Sequence, residues 1–168
     1  MSERPPAPGG LALLEALVNT LDIETGADSL DTADGRAPFG LAEPDVPAAR
    51  DLREALRAAL KAHAGHDVPT AELGRLLAAA PLLVAIDPAG AAEVRPADPA
   101  DLASRVAAAV AAASADGSWL RLKACEAADC QWAYYDRSPA GRSRWCTMAV
   151  CGSRAKMRKY RARRADPA

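Results

Sequence analysis

The chain has few aromatic residues, no long hydrophobic run and no cysteine before Cys125. It lacks an apolar stretch of the roughly 18 residues that a membrane span needs, so we expect no membrane span. Its first ten residues, MSERPPAPGG, lack the hydrophobic core of a signal peptide. We therefore expect a cytoplasmic protein whose cysteines are metal ligands or reactive thiols rather than structural disulfides. The chain also lacks a nucleophile motif and a phosphate-binding loop, so we do not expect an enzyme.

The charged residues, cysteines and aromatic residues that are present are unevenly distributed. Residues 1–118 carry 18 acidic and 9 basic side chains, whereas residues 119–168 carry 4 and 12. All four cysteines and six of the seven aromatic residues lie in the second segment. This shift predicts a boundary near Gly117, which separates a helical domain over residues 11–117 from a smaller one over residues 118–168. Residues 1–10 are expected to form a disordered leader.

The first domain is predicted to be mainly α-helical with a small β-hairpin. Half of the chain is apolar, and the abundant alanine favours helix. Apolar spacing predicts helices over residues 11–21, after Asp45 and after Thr70, and a fourth helix capped by Asp98. The runs LLVAI and AAEVRP flank a DPAG turn and predict the hairpin. Residues 22–38, rich in acids, glycine and proline, are expected to form a long loop.

The four cysteines have the spacing of a zinc site. Cys125 and Cys130 form one C-x4-C pair, and Cys146 and Cys151 form the second after fifteen intervening residues. Two such pairs match the four-thiolate plan, in which each pair makes a knuckle and the chain between them a hairpin. Residues five apart on a helix point about 140° apart, so the last helix has to begin between Cys146 and Cys151 or at Cys151. A closed four-ligand site leaves no position for substrate, which favours structural Zn²⁺ over a redox pair or unpaired thiols.

Basic residues flank the cysteines, and two histidines precede them in the sequence. A zinc ion with four thiolates carries a formal charge of −2, which Arg142, Arg144 and Arg154 are close enough in sequence to offset. The two histidines, His63 and His66, lie at a predicted helix end, and we expect them to be solvated rather than to bind the metal.

The end of the chain is predicted to be a basic helix. Its seven basic residues fall within eleven positions and are Arg154, Lys156, Arg158, Lys159, Arg161, Arg163 and Arg164. At 100° per residue, Val150, Met157 and Tyr160 share one face, which would let the helix dock on its own domain. The almost unopposed positive charge favours an acidic partner, with DNA preferred because each neutralised phosphate releases counterions. The acidic loop over residues 22–38 is the internal alternative.

The aromatic residues of this segment are expected to pack rather than to stack on bases. Trp132 and Tyr134 would lie on one side of a strand, with Tyr135 on the other.

The segment RLKACEAADCQWAYYDRSPAGRSRWCTMAVCGSRAKMRKYRARR, residues 121–164, resembles the CGNR zinc-finger family of bacterial proteins through its cysteine frame and its RWC and CGxRAK motifs. The preceding region, through LLEALVNTLD and APLLVAID, resembles the ABATE-type domain that usually precedes this finger. The resemblance implies a cytoplasmic, stress-related transcription regulator. Its zinc ligands would be Cys125, Cys130, Cys146 and Cys151, and its C-terminal module would bind DNA. Ser153 replaces the family's Asn, which keeps a capping group but removes the amide needed to pair with adenine.

These observations predict a two-part bacterial regulator in which a zinc knuckle, a β-hairpin and a basic helix follow a helical domain. The N-terminal domain would sense a small-molecule effector or mediate homodimerisation. A protein-interaction module and a thiol redox switch remain the alternatives.

Overall fold

The computed structural model describes residues 5–165, and helices dominate that range. Its α-helices are α1 (Leu11–Val18), α2 (Ala33–Arg36), α3 (Val46–His63), α4 (Ala71–Ala78), α5 (Leu102–Ala115) and α6 (Ser153–Ala165). Its strands are β1 (Leu82–Ile86), β2 (Ala92–Pro96), β3 (Leu122–Ala124) and β4 (Ala133–Tyr135), paired as two antiparallel hairpins. The predicted fold class, mainly helical with a small hairpin and a C-terminal zinc-finger module, is confirmed.

The main core lies between α1, α3 and α5. Leu52, Leu56 and Leu60 recur every four residues along α3, so they form one apolar stripe that is buried against the neighbouring helices. Helix α3 follows Asp45 as predicted, with Pro47 in its first turn. In the described range, every helix is too short or too polar to span a bilayer.

Helix α5 starts later than predicted. Its cap is Asp101, whose carboxylate accepts a 2.7 Å hydrogen bond from the backbone N–H of Ser104. Asp98 instead accepts from the backbone N–H of Ala100 in the preceding turn. Leu102 and Val106, one turn apart on α5, are both buried in the core.

The expected long loop over residues 22–38 needs correcting, because much of it is structured. It contains α2 and two short 3₁₀ turns, and Leu30 is fully buried. The Asp28 carboxylate accepts hydrogen bonds from Arg50 at 3.1 Å and from Arg53 at 2.7 Å. Burial would raise the pKa of Asp28, but hydrogen bonds from Arg53 and from the Leu30 backbone lower it. An acidic segment is thereby fixed to α3.

The predicted disordered leader also needs correcting from Pro5 onward. Ala7 is buried, and its N–H donates a 2.6 Å hydrogen bond to the Glu15 carboxylate. Arg137 donates to the carbonyls of Pro5 and Pro6. The first four residues of the predicted leader lie outside the described residues.

The second hairpin, β3–β4, is built into the main core. Leu122 of β3 and Ala133 of β4 are buried in the same cluster as α1 and α3. The Asn19 side chain, just after α1, donates to the Ala133 carbonyl at 3.0 Å and accepts from its N–H at 2.7 Å, as a neighbouring strand would. The domain boundary near Gly117 stays a prediction, and the hydrophobic core is continuous across it.

Candidate metal centre

Four cysteine sulfurs meet beside the β3–β4 hairpin. The Sγ atoms of Cys125, Cys130, Cys146 and Cys151 all lie within 4.8 Å of one another. The Cys130–Cys146 and Cys146–Cys151 separations are 3.6 and 3.7 Å. A tetrahedron with Zn–S bonds of about 2.3 Å has edges of about 3.8 Å, so these sulfurs fit one shared zinc ion. All four cysteines are free of disulfide bonds, and two of them, Cys125 and Cys151, are buried.

The first knuckle is formed by a tight reversal between β3 and β4. The N–H groups of Cys130 and Gln131 both donate to the Ala127 carbonyl, at 2.9 and 3.1 Å. Gln131 has a positive φ of 52°, an uncommon left-handed conformation that turns the chain back. The Cys125 N–H then donates to the Trp132 carbonyl at 2.9 Å, so the ladder between the strands starts at the first ligand.

The second knuckle leads directly into α6. A π-helical turn, Met148–Gly152, contains Cys151, and Thr147 before it accepts a hydrogen bond from the Val150 N–H. The π-helical turn thus begins between the two ligands, as predicted for the helix, whereas α6 itself begins at Ser153, two residues after Cys151. A Cβ at Gly152 would lie 2.8 Å from the Met148 sulfur and 3.3 Å from the Trp145 ring, so the exposed Met148 side chain would have to move to admit it. The Ser153 hydroxyl donates to the Met148 carbonyl at 3.1 Å.

The thiols interact strongly enough to shift one another's pKa. Hydrogen bonds from the thiols of Cys130 and Cys146 lower the pKa of Cys125. Hydrogen bonding to Cys125 raises the pKa of Cys130 and of Cys146, while burial raises that of Cys151. A cluster of this kind favours the thiolate form of Cys125 and opposes deprotonation of the other three cysteines. A divalent cation would stabilise all four thiolates, the form that zinc binds.

Of the three arginines predicted to offset the thiolate charge, Arg154 is the one that the structure places near a cysteine. Arg154 comes near enough to Cys151 for their charges to interact, although its pKa is raised first by hydrogen bonds to Glu24. Arg144 pairs instead with the Glu126 carboxylate, with Nε 2.6 and 2.7 Å from its two oxygens. For Arg142 the structure shows only a backbone hydrogen bond to the Ser138 hydroxyl.

Sequence reasoning missed a buried arginine on α3 that supports the first knuckle. Arg57 is nearly inaccessible, and it donates to the Gln131 carbonyl at 3.0 Å and to the Val18 carbonyl at 2.9 Å. Burial lowers the pKa of its guanidinium, while Glu54 and the nearby Cys130 act in the opposite direction. Arginines on a helix are usually solvated, so the sequence held no signal for this role.

A buried aspartate that organises the loop between the knuckles was also not predicted from the sequence. Asp136 is fully buried and accepts hydrogen bonds from the backbone N–H groups of Ser138 and Ser143 and from Lys123 Nζ, at 2.8–3.0 Å. Burial would raise its pKa, but hydrogen bonds from Ser138 and Lys123 hold the pKa well below the usual range. The Tyr134 hydroxyl secures the same loop by donating to the Ser143 carbonyl at 2.6 Å.

Two aromatic residues near the site, Tyr134 and Tyr135, pack as expected, whereas Trp132 is exposed. Tyr134 is buried against Cys125 and Cys151, whereas Tyr135 on the opposite side of β4 packs against the main core. The prediction that His63 is solvated is wrong. Its Nδ1 lies 2.8 Å from the Leu122 carbonyl, and its ring meets that of Trp119 edge-on at 4.7 Å.

The apolar stripe of the basic helix is exposed. Val150, Met157 and Tyr160 are each about half exposed, so the expectation that α6 docks through them is wrong. Only the first turns of α6 approach the body of the protein. Arg154 lies 3.2 Å from Glu24 and 3.9 Å from Asp129.

The other basic residues of α6 differ in their surroundings. Arg158 lies 4.0 Å from Asp129, and Arg164 donates to the Tyr160 hydroxyl. The remaining four have no acidic partner among the described residues, and these are Lys156, Lys159, Arg161 and Arg163. The candidate nucleic-acid residues are therefore gathered on one helix, and the pairing is confined mainly to its start.

Comparison with known proteins supports the assignment of the metal centre. Residues 121–164 match the family model of the CGNR zinc finger, a range that includes all four cysteines and most of α6. No curated protein matches the chain. Residues 121–164 thus match a CGNR zinc finger, and their four cysteines are positioned to hold a metal ion, as structural zinc requires. The ABATE-type resemblance of the preceding region stays a prediction.

Proposed function

We propose that the protein is a zinc-dependent, DNA-binding transcription regulator of bacterial type, in which zinc is structural and α6 contacts DNA phosphates. The supporting observation is the geometry of α6, an exposed basic helix that starts two residues after a candidate zinc ligand. The resemblance to regulators adds a cytoplasmic location and a stress-related role to this proposal. The role is non-catalytic, because a four-thiolate centre leaves no coordination position for a substrate.

The metal centre anchors the start of α6. Helix α6 spans 13 residues, so it extends about 20 Å beyond the π-helical turn that holds Cys151. Zinc binding in finger peptides contributes roughly 10–16 kcal/mol to folding. That is more than the small cluster of Tyr134, Trp145 and Ala127 around the cysteines could supply. The ion would therefore both stabilise the turn and hold the helix at a set angle.

The two sides of α6 are not equivalent. Arg154 and Arg158 face Glu24 and Asp129, so the chain's own acids partly neutralise that side. Lys156, Lys159 and Arg163 lie about 140–200° around the helix from Arg154 and therefore point away from those acids. We propose that this second side makes the main phosphate contacts, which would position the protein on DNA without reading its sequence.

The test is the salt dependence of duplex binding by the full, zinc-loaded chain. A double variant, Lys156→Ala with Lys159→Ala, should reduce the slope of log K against log salt by about 2, since each phosphate contact contributes about 0.9. A matched control, Arg75→Ala with Arg95→Ala, removes the same charge from exposed sites on α4 and β2 and should leave the slope unchanged. Absence of duplex affinity at low salt would eliminate the proposal.

A protein-interaction role is the second candidate, because the Arg154–Glu24 pair shows that α6 can engage acidic protein groups. It predicts that the Lys156 and Lys159 variants bind DNA no differently from the control. A thiol switch remains a separate alternative. Mild peroxide followed by mass spectrometry should leave zinc and four reduced thiols in place if that alternative is wrong.

A further inference from the structure

The β1–β2 hairpin presents an apolar face that the described part of the chain does not cover. The strand register sets Leu82 opposite Pro96, Val84 opposite Val94, and Ile86 opposite Ala92. Side chains that oppose each other in an antiparallel pair lie on the same face, so these six residues form one face without a charge. Its large side chains are well exposed, at 37% for Leu82, 72% for Val84, 65% for Ile86 and 41% for Val94.

The two edges of this hairpin differ in how they are protected. Strand β2 carries Glu93, Arg95 and Pro96, which are devices that discourage pairing with another strand. Glu93 and Arg95 also form an ion pair with each other on the face opposite the apolar one. Strand β1 reads LLVAI, with no charge, proline or bulge. In the range 5–165 this sheet has two strands, so the outer edge of β1 has no strand partner there.

We propose that β1 pairs with β1 of a second copy of this chain, antiparallel and about a two-fold axis at Val84. In that register Val84 lies opposite the partner's Val84, and Leu82 lies opposite the partner's Ile86. Both pairs fall on the apolar face, so the two hairpins become one four-stranded sheet whose apolar residues are continuous across the junction. The strand is self-complementary, as a two-fold interface requires, because its own sequence satisfies both sides of the pairing.

The absence of charge on β1 favours a second copy of the chain as its strand partner. Two identical charged strands would repel each other at the axis, whereas these strands bring only apolar side chains together. The hairpin is supported by α5, and two additional strands would enlarge this small two-stranded sheet. Two five-residue strands make a small interface, so we expect the dimer to be concentration-dependent.

The experiment measures the mass of the full, zinc-loaded chain by sedimentation or light scattering over a range of concentrations. The 17.5 kDa monomer should give way to a dimer as concentration rises. Val84→Lys places two like charges directly opposite each other and should weaken the dimer by about tenfold or more. Ala85→Lys is the matched control. It adds the same charge to the same strand but on the other face, opposite its own Glu93 and the partner's Leu83, and should leave the affinity within about twofold.

Circular dichroism of both variants should match the parent, which separates loss of pairing from loss of folding. A chain that stays monomeric up to several hundred micromolar would overturn the proposal. A dimer that both lysine variants weaken equally, or that neither variant affects, would place the interface elsewhere and overturn it as well. None of these readouts depends on DNA binding, so the dimer and the proposed function can fail independently.

Discussion

Removing the metal should destabilise the whole chain rather than the zinc-finger segment alone. Strands β3 and β4 complete the core formed by α1 and α3, and Leu122 and Ala133 are buried in it. Each strand has only three residues, and a hairpin of that size is not stable without support. Once the thiolates no longer share an ion, the hairpin should separate from the helices and expose that part of the core.

The size of the effect follows from the contacts that would be lost. Burial of Leu122 contributes about 2 kcal/mol. The two hydrogen bonds between Asn19 and Ala133 contribute about 1 kcal/mol each, and the bond from Arg57 to the Gln131 carbonyl about 2 kcal/mol. The helical part would thus lose roughly 6 kcal/mol from a total that is typically about 5–15 kcal/mol. The corresponding fall in Tm is about 12–24 °C for a chain of this length.

Two optical signals separate the parts of the molecule. Far-ultraviolet circular dichroism reports mainly the helices, whereas tryptophan fluorescence reports the C-terminal segment, where all three tryptophans lie. After a chelator has removed zinc, both thermal transitions should move down together, and added zinc should restore them. The reasoning is refuted if the fluorescence transition disappears while the circular dichroism midpoint stays within about 2 °C of its original value.

Two further predictions concern buried ionisable groups. Asp136→Asn should lower the free energy of unfolding, measured by urea titration, by about 3–5 kcal/mol, because it leaves the Lys123 charge buried without its partner. Adding Lys123→Met should recover part of that loss. A double variant no more stable than Asp136→Asn alone would contradict this. His63 has a pKa lowered by burial, with Lys123 nearby acting in the same direction, so the folded state holds it neutral and binds fewer protons than the unfolded chain. Stability should therefore fall as the pH drops below about 6.5, and His63→Gln should show a smaller fall in Tm between about pH 7.5 and 5.5, whereas an equal fall would exclude the histidine as a cause.

The features that sequence predicted well are those encoded by local spacing. The cysteine frame predicted a four-sulfur cluster, and all four sulfurs lie within 4.8 Å of one another. The apolar stripe of α3 and the LLVAI and AAEVRP runs gave the correct elements because side-chain periodicity follows directly from helix and strand geometry. The start of α5 was predicted three residues too early because Asp98 is followed by a proline, a pattern typical of a helix start, whereas the Asp101 carboxylate makes the capping hydrogen bond.

Polar side chains that act across the fold were the ones that sequence could not assign. Asn19 lies 114 positions from the strand that it hydrogen-bonds, and Arg57 lies 74 positions from the carbonyl that it holds. Neither spacing nor composition indicates such contacts, since the same side chains are usually solvated on helix surfaces. The docking face of α6 was wrong for the same reason. Periodicity identified the stripe, but it could not show whether another element lies against it.

The sequence by itself determined the metal chemistry and where the positive charge is concentrated, because thiolate number, ligand spacing and helix propensity are local properties of the chain. Tertiary structure decided the rest. It set the finger's hairpin into the helical core, paired one side of α6 with Glu24 and Asp129, and left the apolar face of β1 and β2 exposed. Those outcomes depend on contacts between distant segments, whose geometry is fixed only when the entire core packs.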